Sequence, residues 1–252
     1  MSITLLRWKS GSAGDTILKM LLDSNSIQSQ NRYLNYGQLR TNIDIAYVKN
    51  FRFDQIAKMS LMDFSNVDKN LLFEQLDKLY LENKDVHWLL KTHCYFDYRY
   101  PVIDIEIDKE YLPFVVKASL TKNSREVKLI PEYSTLTSKI LDADLLYKFD
   151  CYNYAYDILK INNYSDKKIN IESILSGWDS LLTAVTNLGL KLDSSCKDYF
   201  NTWLATNKQF MPSAEYKFKI KSCNYNIDDS IIDLVEQYCL LALSGQKFKV
   251  LK

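Results

Sequence analysis

Residues 9–16 read KSGSAGDT and combine one lysine, three hydroxyl side chains and two glycines. The whole chain has six glycines, so two within eight positions are a local concentration. Small residues let backbone N–H groups approach a ligand, and hydroxyl and ammonium groups bind phosphate oxygens. The segment therefore predicts a phosphate-binding loop. Its predicted ligand-binding residues are Lys9, Ser10, Gly11, Ser12, Ala13, Gly14, Asp15 and Thr16.

This segment is not a Walker A loop, because the pattern GxxxxGK[ST] is absent and Asp15 stands where that loop has its lysine. A carboxylate at this position repels phosphate. As an acid at the start of a helix, however, Asp15 complements the helix dipole. A plain turn between a strand and a helix, with an aspartate cap and no ligand, explains the segment equally well.

A second group of reactive residues ends the apolar run WLLKTH at residues 88–93. Lys91 and His93 are two residues apart, so on a strand their side chains point to the same face. Ligands of open α/β sheets bind at the carboxyl ends of the strands. The pair predicts a cation and a general base beside the phosphate loop; a structural histidine is the alternative for His93.

The elements that must position these residues follow from the hydrophobic pattern. Residues 3–8 predict a strand and residues 16–23 a helix, which is the opening of an α/β nucleotide-binding unit. Further strands are expected at 42–49, 87–93, 102–108, 114–120, 127–130 and 168–171, with the alternating segment 102–108 antiparallel and a turn near 124–126. Helices are expected at 68–82, 134–159 with a break near Phe149, 178–188 ending at Gly189, 193–209, and 228–244 with Asp228 as its cap. We expect one α/β domain over residues 1–252, with a mostly parallel sheet flanked by helices and a helical C-terminal part.

Three patches of the chain, in this order, resemble the sulfotransferases that use 3'-phosphoadenosine 5'-phosphosulfate (PAPS). That family opens with a strand and a loop of the type PKSGTTW and continues with a strand ending in KTH; here the corresponding segments are KSGSAGDT and LLKTH. The third patch is KINIESILSGWDSLLTAVTNLGLKL at 168–192, similar to the family's late strand and helix with a Leu-Gly-Leu end. The resemblance implies the P-loop NTPase-like sulfotransferase fold.

The resemblance also implies an activity: transfer of a sulfuryl group from PAPS to a hydroxyl or amine of a small molecule or glycan, with no metal. Lys9 would contact the bridging and 5'-phosphate oxygens, and the backbone of 11–14 with Ser12 and Thr16 would hold the 5'-phosphate. Lys91 would steady the sulfonate and His93 would be the base.

The family grips the 3'-phosphate with an Arg and a Ser that follow a further strand. After the predicted strand 127–130, Ser138 takes the place of the Ser, and no Arg is present, so that Ser134 or Lys139 are the substitutes. The family's late basic segment has its nearest counterpart in KFKIK at 217–221. Lysines on a water-facing strand explain that cluster equally well.

Bulk composition excludes some classes of function. The net charge of +1 gives no reason to expect nucleic-acid binding, and no run approaches about 18 apolar residues, as a membrane span requires. The five cysteines include no CxxC pair, which is typical of reduced thiols in a cytoplasmic protein without a structural metal. Acceptor identity and oligomeric state stay open.

Two other functions remain open at the level of sequence. A kinase-like phosphotransferase would need acids for Mg²⁺, for which Asp15 and Asp44 are the early candidates. A catalytically degenerate binding protein of the sulfotransferase fold would need no intact site. Asp97 and Asp104 are candidates to orient His93 or to bind a cationic acceptor.

Overall fold

The computed structural model describes residues 3–26, 77, 81, 88–92, 99–127, 143–160, 165–222 and 233–251. Its sheet has four strands: β1 (Ile3–Arg7), β2 (Trp88–Thr92), β3 (Val102–Glu106) and β4 (Lys168–Asn170). The strands predicted at 3–8, 87–93 and 168–171 are therefore confirmed.

All pairs in this sheet are parallel, in the order β2-β1-β3-β4. The chain adds β2 on one side of β1 and β3 on the other, so the winding reverses there. The carboxyl ends of β1 and β3 thus border the topological switch point, where open α/β sheets bind ligands. The expected parallel sheet is confirmed. The antiparallel direction expected for 102–108 is wrong, because alternation reports one buried and one polar face and not strand direction.

Eight helices accompany the described strands. They are α1 (Gly14–Ser26), α2 (Leu112–Val127), α3 (Ala143–Lys160), α4 (Ile171–Leu175), α5 (Trp178–Asn187), α6 (Lys197–Asn207), α7 (Ala214–Lys221) and α8 (Leu234–Leu243), with short 3₁₀ turns at Lys109–Tyr111, Ser194–Cys196 and Lys208–Phe210. Helix α1 packs on β1 and β2, and α4 and α5 pack on β4. Helices α2, α3 and α8 pack against one another.

The apolar core joins the sheet to helices from both halves of the chain. Its fully buried members include Leu6, Ile17, Val115, Ile169, Leu181, Phe200 and Tyr238. Cys151, Cys196 and Cys239 are buried free thiols, as predicted for reduced cysteines, and Cys94 and Cys223 lie outside the described residues. No helix of the described ranges is long and apolar enough to cross a membrane.

Four local predictions are wrong. Residues 114–120 form part of α2, which also includes the turn expected near 124–126. The apolar run FVV is compatible with a buried strand or a buried helix, and its β-branched residues favoured the wrong choice. Helix α3 is continuous through Phe149, and KFKIK lies in α7 and not on a strand.

The C-terminal helices follow the sequence pattern closely. Helix α5 ends at the predicted Gly189, whose φ is 74°. Its N–H donates to the Thr186 carbonyl at 2.9 Å, and the Leu190 N–H donates to the Val185 carbonyl at 3.3 Å, which is a Schellman motif. The cap of α8 is Asp233, whose carboxylate accepts from the Val235 N–H at 2.7 Å.

Some predictions lie outside the described residues. These are the strand at 42–49, residues 128–130 of the strand at 127–130, most of the helix at 68–82 and the start of the helix at 134–159. Val127 itself ends α2, and the N-cap of α8 is Asp233 and not the predicted Asp228. Within 68–82 the structure describes Asp77 and Leu81, and both are helical, as expected for that segment.

Candidate functional site

The predicted phosphate loop connects β1 directly to α1, at the carboxyl end of β1. The Ser12 N–H donates to the Lys9 carbonyl at 3.1 Å, which closes a four-residue turn. Gly11 is the third residue of that turn, and its φ of 87° is the conformation that a type II turn requires there. The Ser12 hydroxyl donates to the same carbonyl at 2.6 Å and is fully buried, so it braces the turn.

Both glycines of the loop are also required by close packing. A Cβ on Gly11 would lie 2.3 Å from the Val115 carbonyl oxygen and 2.9 Å from the Ser119 nitrogen, both in the backbone of α2. A Cβ on Gly14 would lie 2.0 Å from the buried indole of Trp8. Gly11 therefore lets α2 touch the loop, and Gly14 lets Trp8 cover the start of α1.

The start of α1 presents backbone N–H groups. The Ile17 N–H makes the first helical hydrogen bond, 3.0 Å long, to the Ala13 carbonyl. The N–H groups of Gly14 and Thr16 belong to the first turn of α1, in which the helix does not provide i−4 acceptors. Ala13 has a φ of 64°, uncommon outside glycine, so the backbone turns sharply just before α1. The N–H groups at such a turn and the helix dipole together suit an anion.

Lys9 provides the cation of the loop from a partly buried position. Burial lowers the pKa of Lys9 to about 8, although the negative charge of Asp157 in α3 opposes the shift. A bound anion would favour the protonated amine. Of the other predicted loop residues, Ser10 and Asp15 are half-buried and Thr16 is buried.

A buried ion pair joins the last residue of β1 to the third residue of β3. The guanidinium of Arg7 contacts the Asp104 carboxylate through Nε at 2.5 Å and Nη2 at 2.8 Å, a bidentate arrangement. The Arg7 side chain is 1% exposed and that of Asp104 13%. Asp104, predicted to orient His93 or to bind a cationic acceptor, thus has Arg7 as its partner.

Beyond this pair the end of β3 is acidic. Glu106 pairs with Lys168 Nζ at 2.8 Å, and the Asp108 carboxylate accepts from the Glu172 N–H at 3.2 Å. Burial raises the pKa of Asp108; the Glu172 N–H opposes this, and the charges of Glu172 and Glu106 add to it. Among the described residues, no group of three His, Cys, Asp or Glu side chains is arranged to hold a metal ion.

Of the other predicted site residues, the structure describes only Lys91. Lys91 lies in β2, where it is paired with Leu6 of β1, and the structure describes its backbone. His93 and Ser138 lie outside the described residues, as do Asp44, Asp97, Ser134 and Lys139. The structure therefore brings β2 beside the loop strand but does not test the side chains proposed for catalysis.

The lysines of KFKIK have neighbours of their own in the fold. Lys217 lies 4.3 Å above the Tyr111 ring, Lys219 contacts Glu215 at 3.6 Å, and Lys221 contacts Glu110 at 3.6 Å. Tyr111 and Glu110 belong to the 3₁₀ turn that follows β3. Lys217 and Lys221 thus help attach α7 to that turn, whereas the pair of Lys219 lies within α7.

One residue next to the loop had no counterpart in the sequence-based site. Ser119 of α2 is fully buried, lies against Gly11, and its hydroxyl has no hydrogen-bond partner in the described structure. Its only sequence signal was a serine within an apolar run, and that run was assigned to a strand.

Compared with protein-family models, curated proteins and solved structures, the chain shows no match. Its function has to be inferred from the loop, the strand ends and their electrostatics. The loop offers N–H donors and a lysine, whereas the end of β3 offers carboxylates.

Proposed function

We propose that the protein is a PAPS-dependent sulfotransferase that binds the donor's phosphate at the loop between β1 and α1. The observation that carries the proposal is the position of this loop. It leaves the carboxyl end of an interior parallel strand at the switch point and leads into a helix of 13 residues through Ala13, whose φ is positive. Nucleotide phosphates bind at such positions in open α/β sheets.

The chemistry assigns one task to each group. Lys9 and the N–H groups of α1's first turn hold and neutralise the phosphate, and Lys91 steadies the sulfonate in line. The bond between sulfur and the phosphate oxygen breaks while sulfur bonds to the acceptor oxygen or nitrogen, and His93 takes the acceptor's proton. The parallel pairing of β1 with β2 supports this assignment, because the carboxyl ends of the two strands lie next to each other at the same end of the sheet.

The hydrogen bond of Ser12 leads us to revise the proposed contacts within the loop. Because the Ser12 hydroxyl donates to the Lys9 carbonyl, we assign phosphate binding to the backbone N–H groups, Lys9 and Thr16. The acidic end of β3 disfavours a phosphate, so the proposal keeps Ser138 for the 3'-phosphate, with Ser134 or Lys139 in support. The acceptor is a hydroxyl or amine of a small molecule or glycan.

A catalytically degenerate binding protein is the second candidate. Two observations favour it: packing alone explains Gly11 and Gly14, and an acid, Asp15, stands in the first turn of α1. Such a protein keeps the loop as a structural turn and binds no donor nucleotide.

Calorimetric titration with 3'-phosphoadenosine 5'-phosphate (PAP), the product left by sulfuryl transfer, tests the proposal. We expect the wild type to bind PAP and Lys9→Ala to lose at least about tenfold in affinity, because a charge-assisted contact is removed. Lys19→Ala is the matched control: Lys19 is exposed on α1, which follows the loop, and lies 4.1 Å above the Tyr199 ring, so its loss should leave PAP affinity unchanged.

Each other result has a defined meaning. Binding of ATP with Mg²⁺ but not of PAP would favour the kinase-like alternative, and binding of neither would favour the degenerate protein. If PAP binds, transfer from PAPS to a panel of hydroxyl and amine acceptors follows. His93→Ala should then abolish transfer while PAP affinity stays within about twofold, because a proton acceptor contributes to the transition state.

A further inference from the structure

The hydroxyl of Ser119 is a buried polar group that the fold itself does not satisfy. Ser119 is 0% exposed, and within the described residues its Oγ has no hydrogen-bond partner. Buried hydroxyls are nearly always hydrogen-bonded, because leaving one unpaired costs free energy. Its position in the middle of α2 therefore requires an explanation.

A serine within a helix commonly donates to the carbonyl four residues earlier. Thr121 does so on the same helix, donating to the Lys117 carbonyl at 2.9 Å. The equivalent acceptor for Ser119 is the Val115 carbonyl, and the Ser119 hydroxyl makes no such bond. That carbonyl is the atom against which Gly11 packs.

Ser119 also lies directly against the phosphate loop. Its Cβ is 3.2 Å, and its nitrogen 2.9 Å, from the position that a Cβ on Gly11 would occupy. The absence of a side chain on Gly11 thus brings the root of the Ser119 side chain to the turn formed by residues 9–12. The residue that carries the buried, unpaired hydroxyl therefore lies against the loop that leads into the start of α1.

We propose that Ser119 is a binding residue whose hydroxyl donates a hydrogen bond to a phosphate or sulfate oxygen held at this loop. The inference rests on the proposed function in so far as the oxyanion belongs to the donor nucleotide. An anionic oxygen is the acceptor that best compensates a buried hydroxyl, since a bond to a charged acceptor is stronger than one to a neutral acceptor. The ligand would then be held by α1, Lys9 and α2 together.

The test compares Ser119→Ala with Thr121→Ala, a change on the same helix at an exposed hydroxyl with its own acceptor. PAP and inorganic phosphate are titrated into each variant and the wild type, and urea unfolding is measured without ligand. We expect Ser119→Ala to weaken binding about ten- to hundredfold, with stability unchanged or increased because an unpaired hydroxyl is removed. Thr121→Ala should leave binding unchanged.

Ser119→Cys separates hydrogen bonding from packing, because the thiol is similar in size but a weak donor. It should weaken binding as the alanine variant does. If PAP binds Ser119→Ala as tightly as the wild type, the role of Ser119 is overturned while the proposed function stands. Ser119-dependent binding of phosphate without PAP binding would support the role of Ser119 and reject PAPS, and a wild type that binds neither would overturn both.

Discussion

The neighbouring strands β1 and β3 are paired in parallel, yet the residues at their carboxyl ends favour ligand groups of opposite charge. After β1 come Lys9, a tight turn and the N–H groups that open α1. After β3 come Asp108 and a short 3₁₀ turn that leads into α2, with Glu106 and Glu172 close by. An anion is favoured at the first end and disfavoured at the second.

Burial acts on the two ends in opposite directions. It lowers the pKa of Lys9 to about 8 and raises the pKa of Asp108, so both groups move toward their neutral forms. Between them, Arg7 and Asp104 neutralise each other. A ligand that spans the switch point is therefore expected to place its anionic group at β1 and a neutral or cationic group at β3.

Breaking the ion pair between the two ends should have the largest effect. Arg7→Met leaves the Asp104 carboxylate partly buried without its partner, and we expect the free energy of unfolding to fall by about 3–5 kcal/mol. The double variant Arg7→Met/Asp104→Leu should recover much of the loss, because no buried charge remains. Urea unfolding measures both; a loss below about 1 kcal/mol in the single variant would contradict the buried pairing.

The contact between the β1 loop and α2 comes next. Gly11→Ala places a Cβ against the Val115 carbonyl at a φ of 87°, so we expect a loss of about 2–5 kcal/mol from crowding and backbone strain together. Gly245→Ala is the control, since Gly245 has a φ of 69° with nothing within 4 Å of its added Cβ. Its loss should be about 1–2 kcal/mol, from strain alone. Equal losses in the two variants would show that α2 does not press on the loop.

The smallest effect concerns the charge of Lys9. Because the pKa is about 8 in the folded protein and 10.5 ordinarily, the unfolded chain binds more protons between those values. The free energy of unfolding should therefore rise with pH from about 8 to 10.5 in the wild type relative to Lys9→Met. Below pH 8 both states are protonated and the difference between the proteins should be constant. Parallel stability curves across pH 7 to 11 would contradict the burial of Lys9.

Periodic segments with clear ends were predicted well. The strand–loop–helix opening, β2, β4 and α5 with its terminal Gly189 all lie where spacing and capping place them. Segment 114–120 was placed in a strand because its β-branched residues suit a buried strand locally. In the fold it packs as a helix against α3 and α8, and that contact is made with residues distant in sequence.

The sequence by itself determined that this is an α/β chain with a glycine-containing turn between its first strand and first helix, because these features depend on local spacing and backbone preference. Only the tertiary structure decided why the glycines are needed: α2 approaches Gly11, and Trp8 covers Gly14. It also decided that Asp104 meets Arg7 and that Ser119 reaches the loop. Such contacts join residues far apart in the chain, and strand order and helix packing determine them, which no local pattern encodes.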